Sequence, residues 1–259
     1  MSAIGRFVWI ELETNDPAGA KKFYSSLVGW GAAPSPTGGD YEMWSMGGNP
    51  QGGLMKLPPE LEKRGVPVHW MGYIGVENVD QTAAKAKELG GSVKHEPTDI
   101  PNMGRFAVLA DPQGAVFGVF QGSKGMEALS RTDLGGLGWA ELNTVDWKSA
   151  WKFYSALFGW QKVASMEMPG LGEYFMFGPT PDGESTIGGM SDAVKGGEFP
   201  PHWLYYINVK NVDEAAKRIP ELGGKVITQP MDVPGGSRII NAQDPQGGYF
   251  ALVSGGESK

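Results

Sequence analysis

The chain contains no cysteine, which excludes disulfides, thiolate metal ligands and cysteine nucleophiles together. Any catalysis must use oxygen and nitrogen groups. No stretch approaches the roughly 20 apolar residues of a membrane-spanning helix, and residues 1–6 lack the charged and apolar regions of a secretory signal. Lysine and arginine never form a run, and 22 of them stand against 29 aspartates and glutamates, a formal charge of −7. That balance argues against nucleic acid or an anionic membrane as a partner. Together these absences predict a cytoplasmic protein. The glycine-rich stretch from Met46 to Gly53 lacks the strand, GxxxxGK and helix context of a phosphate loop, so it reads as turns.

Glycine (40) and proline (19) are abundant, which predicts many tight turns. The main positive feature is a duplication. FVWIELETNDPAGAKKFYSSLVGW, from Phe7 to Trp30, returns as LGWAELNTVDWKSAWKFYSALFGW, from Leu137 to Trp160. A later block, PVHWMGYIGVENVD ending at Asp80, returns as PPHWLYYINVKNVD ending at Asp213. The predicted organisation is a domain over residues 1–122, a linker over 123–136 and a second domain over 137–259, with a short polar tail from Glu257 to Lys259.

From Phe7 to Glu13 the residues alternate, with Val8, Ile10 and Leu12 on one face and Trp9, Glu11 and Glu13 on the other, the pattern of a half-buried strand. Asp16 then caps a helix that has Pro17 at its first position. Ala20, Phe23, Tyr24 and Leu27 give that helix one apolar face. Strand-like runs follow at Tyr41–Met46 and Gly53–Leu57, then a proline-rich loop from Pro58 to Pro67. A second strand and helix come next, ending at Leu89-Gly90-Gly91, and two late strands are joined by Asp111-Pro112-Gln113-Gly114, a turn that recurs at Asp244–Gly247. The unit is βαβββ, written four times. The predicted class is α+β, with two tandem domains, each a pair of βαβββ modules forming a half-open β cup.

This pattern of strand, Asp, helix with FY-x-x-L-x-GW, V-x-D before a second helix ending LGG, and DPQG before the last strand resembles the vicinal oxygen chelate superfamily. That superfamily groups glyoxalases, bleomycin-resistance proteins and extradiol dioxygenases, and the tandem form is similar to glyoxalase-like proteins of a mycobacterial antigen type. The resemblance implies a divalent ion in each cup, held by His or Gln on first strands and Glu on last strands, with open positions for two substrate oxygens. Carried over by position, the first-strand sites fall on Trp9 and Tyr73, and on Trp139 and Tyr206. The last-strand sites fall on Gly118 and Ala251, and near Gly53 and Gly189. None of these is a metal donor, so the expectation is a cup without the family's metal and without another cofactor.

The candidate site residues are the polar and aromatic groups kept in both copies. Glu11 and Glu141 face the cup, where a carboxyl acts as a general base or orients substrate, or else pairs with a neighbour to fix the barrel. His69 and His202 share the parity of Tyr73 and Tyr206, and with Trp9 and Trp139 they would contact a ligand, form an acid–base set or hold a relocated metal. Arg105 and Arg238 either clamp an anionic ligand or pair with a carboxylate. Met43, Trp44, Met46, Met55, Met71, Met103 and Phe120 offer an apolar lining, whereas Trp30, Trp70, Trp160 and Trp203 read as core. The leading expectation is a monomer or homodimer that binds a small aromatic or apolar molecule. The alternatives are a metal-dependent lyase or dioxygenase with moved ligands, and an acid–base enzyme using a cup glutamate.

Overall fold

The computed structural model describes residues 2–36, 38–197 and 199–255; the tail at Glu257–Lys259 lies outside them. In the first module β1 (Phe7–Thr14) and α1 (Pro17–Leu27) precede β2 (Gly31–Pro34), β3 (Glu42–Met46) and β4 (Asn49–Lys56), and α2 (Pro59–Lys63) follows. The second module is β5 (His69–Gly75), α3 (Val79–Glu88), β6 (Ser92–Ile100), β7 (Gly104–Ala110) and β8 (Val116–Gly122). The third is β9 (Leu137–Asn143), α4 (Trp147–Phe158), β10 (Gln161–Met168), β11 (Gly172–Gly178) and β12 (Gly188–Ser191). The fourth is β13 (His202–Asn208), α5 (Val212–Glu221), β14 (Lys225–Val226), β15 (Met231–Val233), β16 (Ser237–Gln243) and β17 (Tyr249–Gly255). Both β14 and β15 pair with β16.

The four βαβββ modules are therefore present. Each repeat builds one open sheet, in the orders β2-β3-β4-β1-β5-β8-β7-β6 and β10-β11-β12-β9-β13-β17-β16-β14. Within each module the first strand runs parallel to the last, as in β1 with β4 and β13 with β17. The sequence patterns act locally as read: Asp16 accepts from the Gly19 amide to cap α1, and Asp146 caps α4 in the same way. Three local features differ from the sequence reading, the first being the Met46–Gly53 stretch, which read as turns but is strand β4 from Asn49 onward. The Pro58–Pro67 loop contains α2, where Pro59 opens the helix and Glu60 and Lys63 sit at the ends that the helix dipole favours. The edge strands β2 and β6 went unread, because their exposed Gly-Ala-Ala-Pro and Lys-His-Glu-Pro stretches carry no alternation.

The compact units cut across the repeats. One comprises Ile10–Trp70, Ser130–Gly138 and Tyr205–Lys259, and the other Met1–Trp9, Met71–Leu129 and Trp139–Leu204. In the unit carrying α1, the Tyr24 hydroxyl donates to Asp244 Oδ2 at 3.0 Å and accepts from Trp70 Nε1 at 2.9 Å. The other Asp244 oxygen accepts the Gln246 and Gly248 amides of its own turn at 2.9 and 2.8 Å. Trp30 and Trp44 pack around the same tyrosine in tilted and edge-to-face contacts. In the unit carrying α4, Tyr154 donates to Asp111 at 3.1 Å and accepts from Trp203 at 3.1 Å, and Asp111 holds the Gln113 and Ala115 amides.

Each unit thus joins the FY helix of one repeat to the DPQG turn of the other, which gives both motifs a structural reason to recur. The second glycine of LGG follows the same logic: a Cβ on Gly91 would lie 3.0 Å from the Phe153 ring, and one on Gly224 would lie 2.9 Å from the Phe23 ring. Burial raises the Tyr24 hydroxyl well above its ordinary range and pushes the Asp111 and Asp244 carboxyls up, against the turn amides that hold them down.

Candidate functional site

β1 is buried on both faces rather than half-buried, whereas on β9 Trp139 and Glu141 are only partly buried. Ile10 and Leu12 fill one side, and Glu11 and Glu13, only 6% and 7% exposed, lie on the other. A carboxyl so placed needs a partner. For Glu11 the partner is Tyr41, whose hydroxyl donates to Glu11 Oε2 at 2.5 Å. Ladder register explains the meeting: Glu11 stands opposite Gly53 on β4, and Gly53 opposite Met43 on β3, so Tyr41 reaches over from two residues before Met43.

Repeat two builds the same row from Glu141, Gly189 and Met176. Tyr174 donates to Glu141 Oε2 at 2.9 Å and accepts from Trp139 Nε1 at 2.8 Å, a relay of three side chains. Neither tyrosine was singled out from the sequence. The signal was the recurrence of Tyr-x-Met at 41–43 and 174–176, the first inside a run read only as a strand and the second in a stretch given no element.

His69 and His202 also behave alike. Each Nδ1 lies 2.9 Å from the carbonyl oxygen of the proline two residues before, Pro67 or Pro200. A carbonyl only accepts, so Nδ1 carries a hydrogen in each ring, and in neutral His69 this leaves Nε2 with its lone pair. Burial lowers the His69 pKa, opposed by the Pro67 carbonyl and the charge of Glu11, and the ring is neutral at pH 7.

The other candidates fall elsewhere. Arg105 makes a bidentate pair with Asp80 at 2.8 and 2.9 Å and reaches Asp99 at 2.8 Å. Arg238 repeats this with Asp213 at 2.7 and 2.9 Å and Asp232 at 2.9 Å. Of the two readings for these arginines, the ion pair is the one realised: each guanidinium ties a late strand to the first turn of α3 or α5, and each pulls its helix aspartate below the ordinary carboxylate range. Tyr73 is buried in an apolar cluster with Ala3, Val8 and Met71, against which Trp9, Phe106 and Phe120 pack. Tyr206 is buried in register with Ala251. Trp44 leaves the expected lining for the core, fully buried against Tyr24 and Trp30, and Met103 is exposed.

Glu13 is the residue that the copy-to-copy comparison passed over, since its counterpart is Asn143. Its Oε2 has no hydrogen-bond partner among the described residues, and burial raises its carboxyl to about 7.

The positions that the resemblance assigns to a metal do not fit one. Beyond lacking donor side chains, two of the glycines are roofed by rings: a Cβ on Gly118 would lie 2.2 Å from the Tyr73 ring, and one on Gly189 would lie 2.4 Å from the Tyr174 ring. Among the described residues no group of three or more His, Asp and Glu stands ready to hold an ion.

The profile of the "Glyoxalase/Bleomycin resistance protein/Dioxygenase superfamily" matches residues 6–119 and again 136–252. The chain is 34% identical over 95% of its length to "Putative glyoxylase CFP32" of Mycobacterium tuberculosis, covering 93% of that protein. It is 32% identical over 97% of its length to the "Anthracycline biosynthesis protein DnrV" of Streptomyces peucetius, covering 94% of that protein. The Mn(II)-bound glyoxalase from Novosphingobium aromaticivorans shares the fold, with a TM-score of 0.66 over 98% of this chain and 83% of that one, at 15% identity. With the βαβββ modules in place, these matches show that the chain belongs to the glyoxalase/bleomycin resistance protein/dioxygenase superfamily, whose domain it carries twice.

Proposed function

We propose that the protein is a cytoplasmic small-molecule-binding member of its superfamily that holds a flat aromatic or apolar ligand without the family's divalent ion. The observation that carries this reading is the repeated tyrosine–glutamate dyad beside a glycine, at cups whose metal positions hold tryptophan, tyrosine, glycine and alanine. At Gly189 the missing Cβ lets the Tyr174 ring lie close over the strand, and this ring and the neighbouring thioether offer a planar molecule its apolar contacts. The dyad and the Nε2 of the neighbouring histidine then orient the ligand's polar edge. Such a site fixes a ligand by shape and a few placed polar groups. Relatives named for anthracycline biosynthesis support a flat aromatic ligand.

The test is a titration of the purified chain with 2-naphthol, followed by quenching of tryptophan fluorescence. Saturable binding that weakens roughly tenfold in the Tyr41→Phe/Tyr174→Phe double variant is expected, the loss of about one useful hydrogen bond. Absence of saturable binding, or binding indifferent to both substitutions, contradicts the proposal.

A further inference from the structure

β1 carries two carboxyls on one face. Glu11 is satisfied by Tyr41; Glu13, the next residue on that face, stands in register with Met55. It is more than nine-tenths buried, and its Oε2 lacks a donor among the described residues. A buried acceptor without a donor is costly to keep, and native proteins keep one where something else supplies the hydrogen. Repeat two has no carboxyl here: the matching pair is Asn143 with Ser191, whose buried hydroxyl also lacks a partner among the described residues.

We propose that Glu13 is a ligand anchor of the first repeat, its Oε2 accepting a hydrogen bond from the hydroxyl of a phenolic ligand. This rests on the small-molecule reading above and narrows it: the first repeat selects hydroxylated aromatics through a carboxylate that the second lacks. A phenol fits better than an ammonium. The group that meets Glu13 lies beside the thioether of Met55, and a neutral hydroxyl loses less hydration there than a cation does. The ionisable groups on the surrounding elements are Glu11 on β1, Lys56 beside Met55 on β4, His69 at the start of β5, Tyr41 before β3, and Glu42 of β3, held by Lys21 of α1 at 2.9 and 3.0 Å. Burial rather than any of these charges governs the Glu13 carboxyl, at about 7. It is mostly protonated at pH 6 and mostly ionised at pH 8. The ionised form is the stronger acceptor.

The experiment compares 2-naphthol with 2-methoxynaphthalene, which keeps the ring and removes the donor, on the full chain at pH 6 and pH 8. The wild type is expected to prefer 2-naphthol, by a margin that grows about tenfold between the two pH values as the carboxyl ionises. In Glu13→Gln the growth disappears, and in Asn143→Ala it stays. A readout that needs no variant is calorimetry at pH 7 in two buffers of different ionisation enthalpy, where 2-naphthol should release about half a proton per first-repeat site. Equal binding of both probes at pH 8, a preference untouched by Glu13→Gln, or no proton release overturns the anchor. If both probes bind alike and Tyr41→Phe weakens both, the small-molecule reading stands and the anchor falls. If neither probe binds, both fall.

Discussion

The same row of the sheet, read in the two repeats, separates what duplication has kept from what it has let drift. Glu11, Gly53, Met43 and Tyr41 are matched one for one by Glu141, Gly189, Met176 and Tyr174. One step along the strand the match ends: Glu13 opposite Met55 becomes Asn143 opposite Ser191. The repeats therefore share a hydrogen-bonded dyad and differ in a buried charge. Identity between copies marks the shared dyad, and the difference marks a buried carboxyl that only the first repeat carries at this position.

The largest expected effect concerns a feature that the repeats share equally. Asp244→Ala and Asp111→Ala each leave a buried tyrosine hydroxyl and two turn amides without an acceptor. Each should lose about 3 kcal/mol or more in denaturant unfolding. A large loss in only one of the two would break the equivalence of the repeats at this lock.

Next in size is the buried charge. Because burial raises Glu13 from 4.5 to about 7, its contribution to stability is full below pH 4.5 and is lost as the pH rises through 7, where folding must hold a desolvated carboxylate. Glu13→Gln should therefore stabilise the protein at pH 8, by up to about 3 kcal/mol, and do little at pH 4. Asn143→Asp should impose on repeat two the penalty that repeat one already carries. Melting temperatures across pH 4 to 8 check both, and a Glu13→Gln variant less stable than wild type at pH 8 would contradict the assignment.

The dyads should be sharpened by Tyr41→Phe and Tyr174→Phe. Each loses one hydrogen bond to a glutamate, but the second also strands Trp139 Nε1, so it should cost more, about 2 kcal/mol against about 1. Arg105→Ala and Arg238→Ala should matter least: they break exposed pairs that salt screens. The expected result is a small melting shift that shrinks in high salt, with 2-naphthol binding unchanged.

Much of the fold was legible because the sequence states it twice and its punctuation is local: Asp16 and Asp146 at helix starts, DPQG between strands, glycine pairs after helices. The site was legible in part. Strand parity put Glu11 and Glu141 on the strand face opposite Ile10, Leu12, Ala140 and Leu142, where Tyr41 and Tyr174 meet them. Tyr41 and Tyr174 were not found because a ladder register, not a sequence spacing, brings them to the glutamates. Trp44 was misplaced because it was put in the same lining as its neighbour Met43, although strand alternation sends the two to opposite faces: Met43 lies in the row of Gly53 and Glu11, and Trp44 pairs with Gly52. The arginines were ambiguous from sequence, since their partners Asp80 and Asp213 lie 25 residues away. Glu13 escaped because comparing the copies rewards sameness.

The claim on which the rest depends is that these cups work through the dyad and not through a divalent ion. Elemental analysis of the purified chain, with thermal melting in the presence of Mn, Fe, Ni, Zn and Mg, tests it most directly. The account predicts sub-stoichiometric metal and no stabilisation by any of the five. Near-stoichiometric metal that raises the melting temperature, and is lost on Glu11→Ala or His69→Ala, would contradict it.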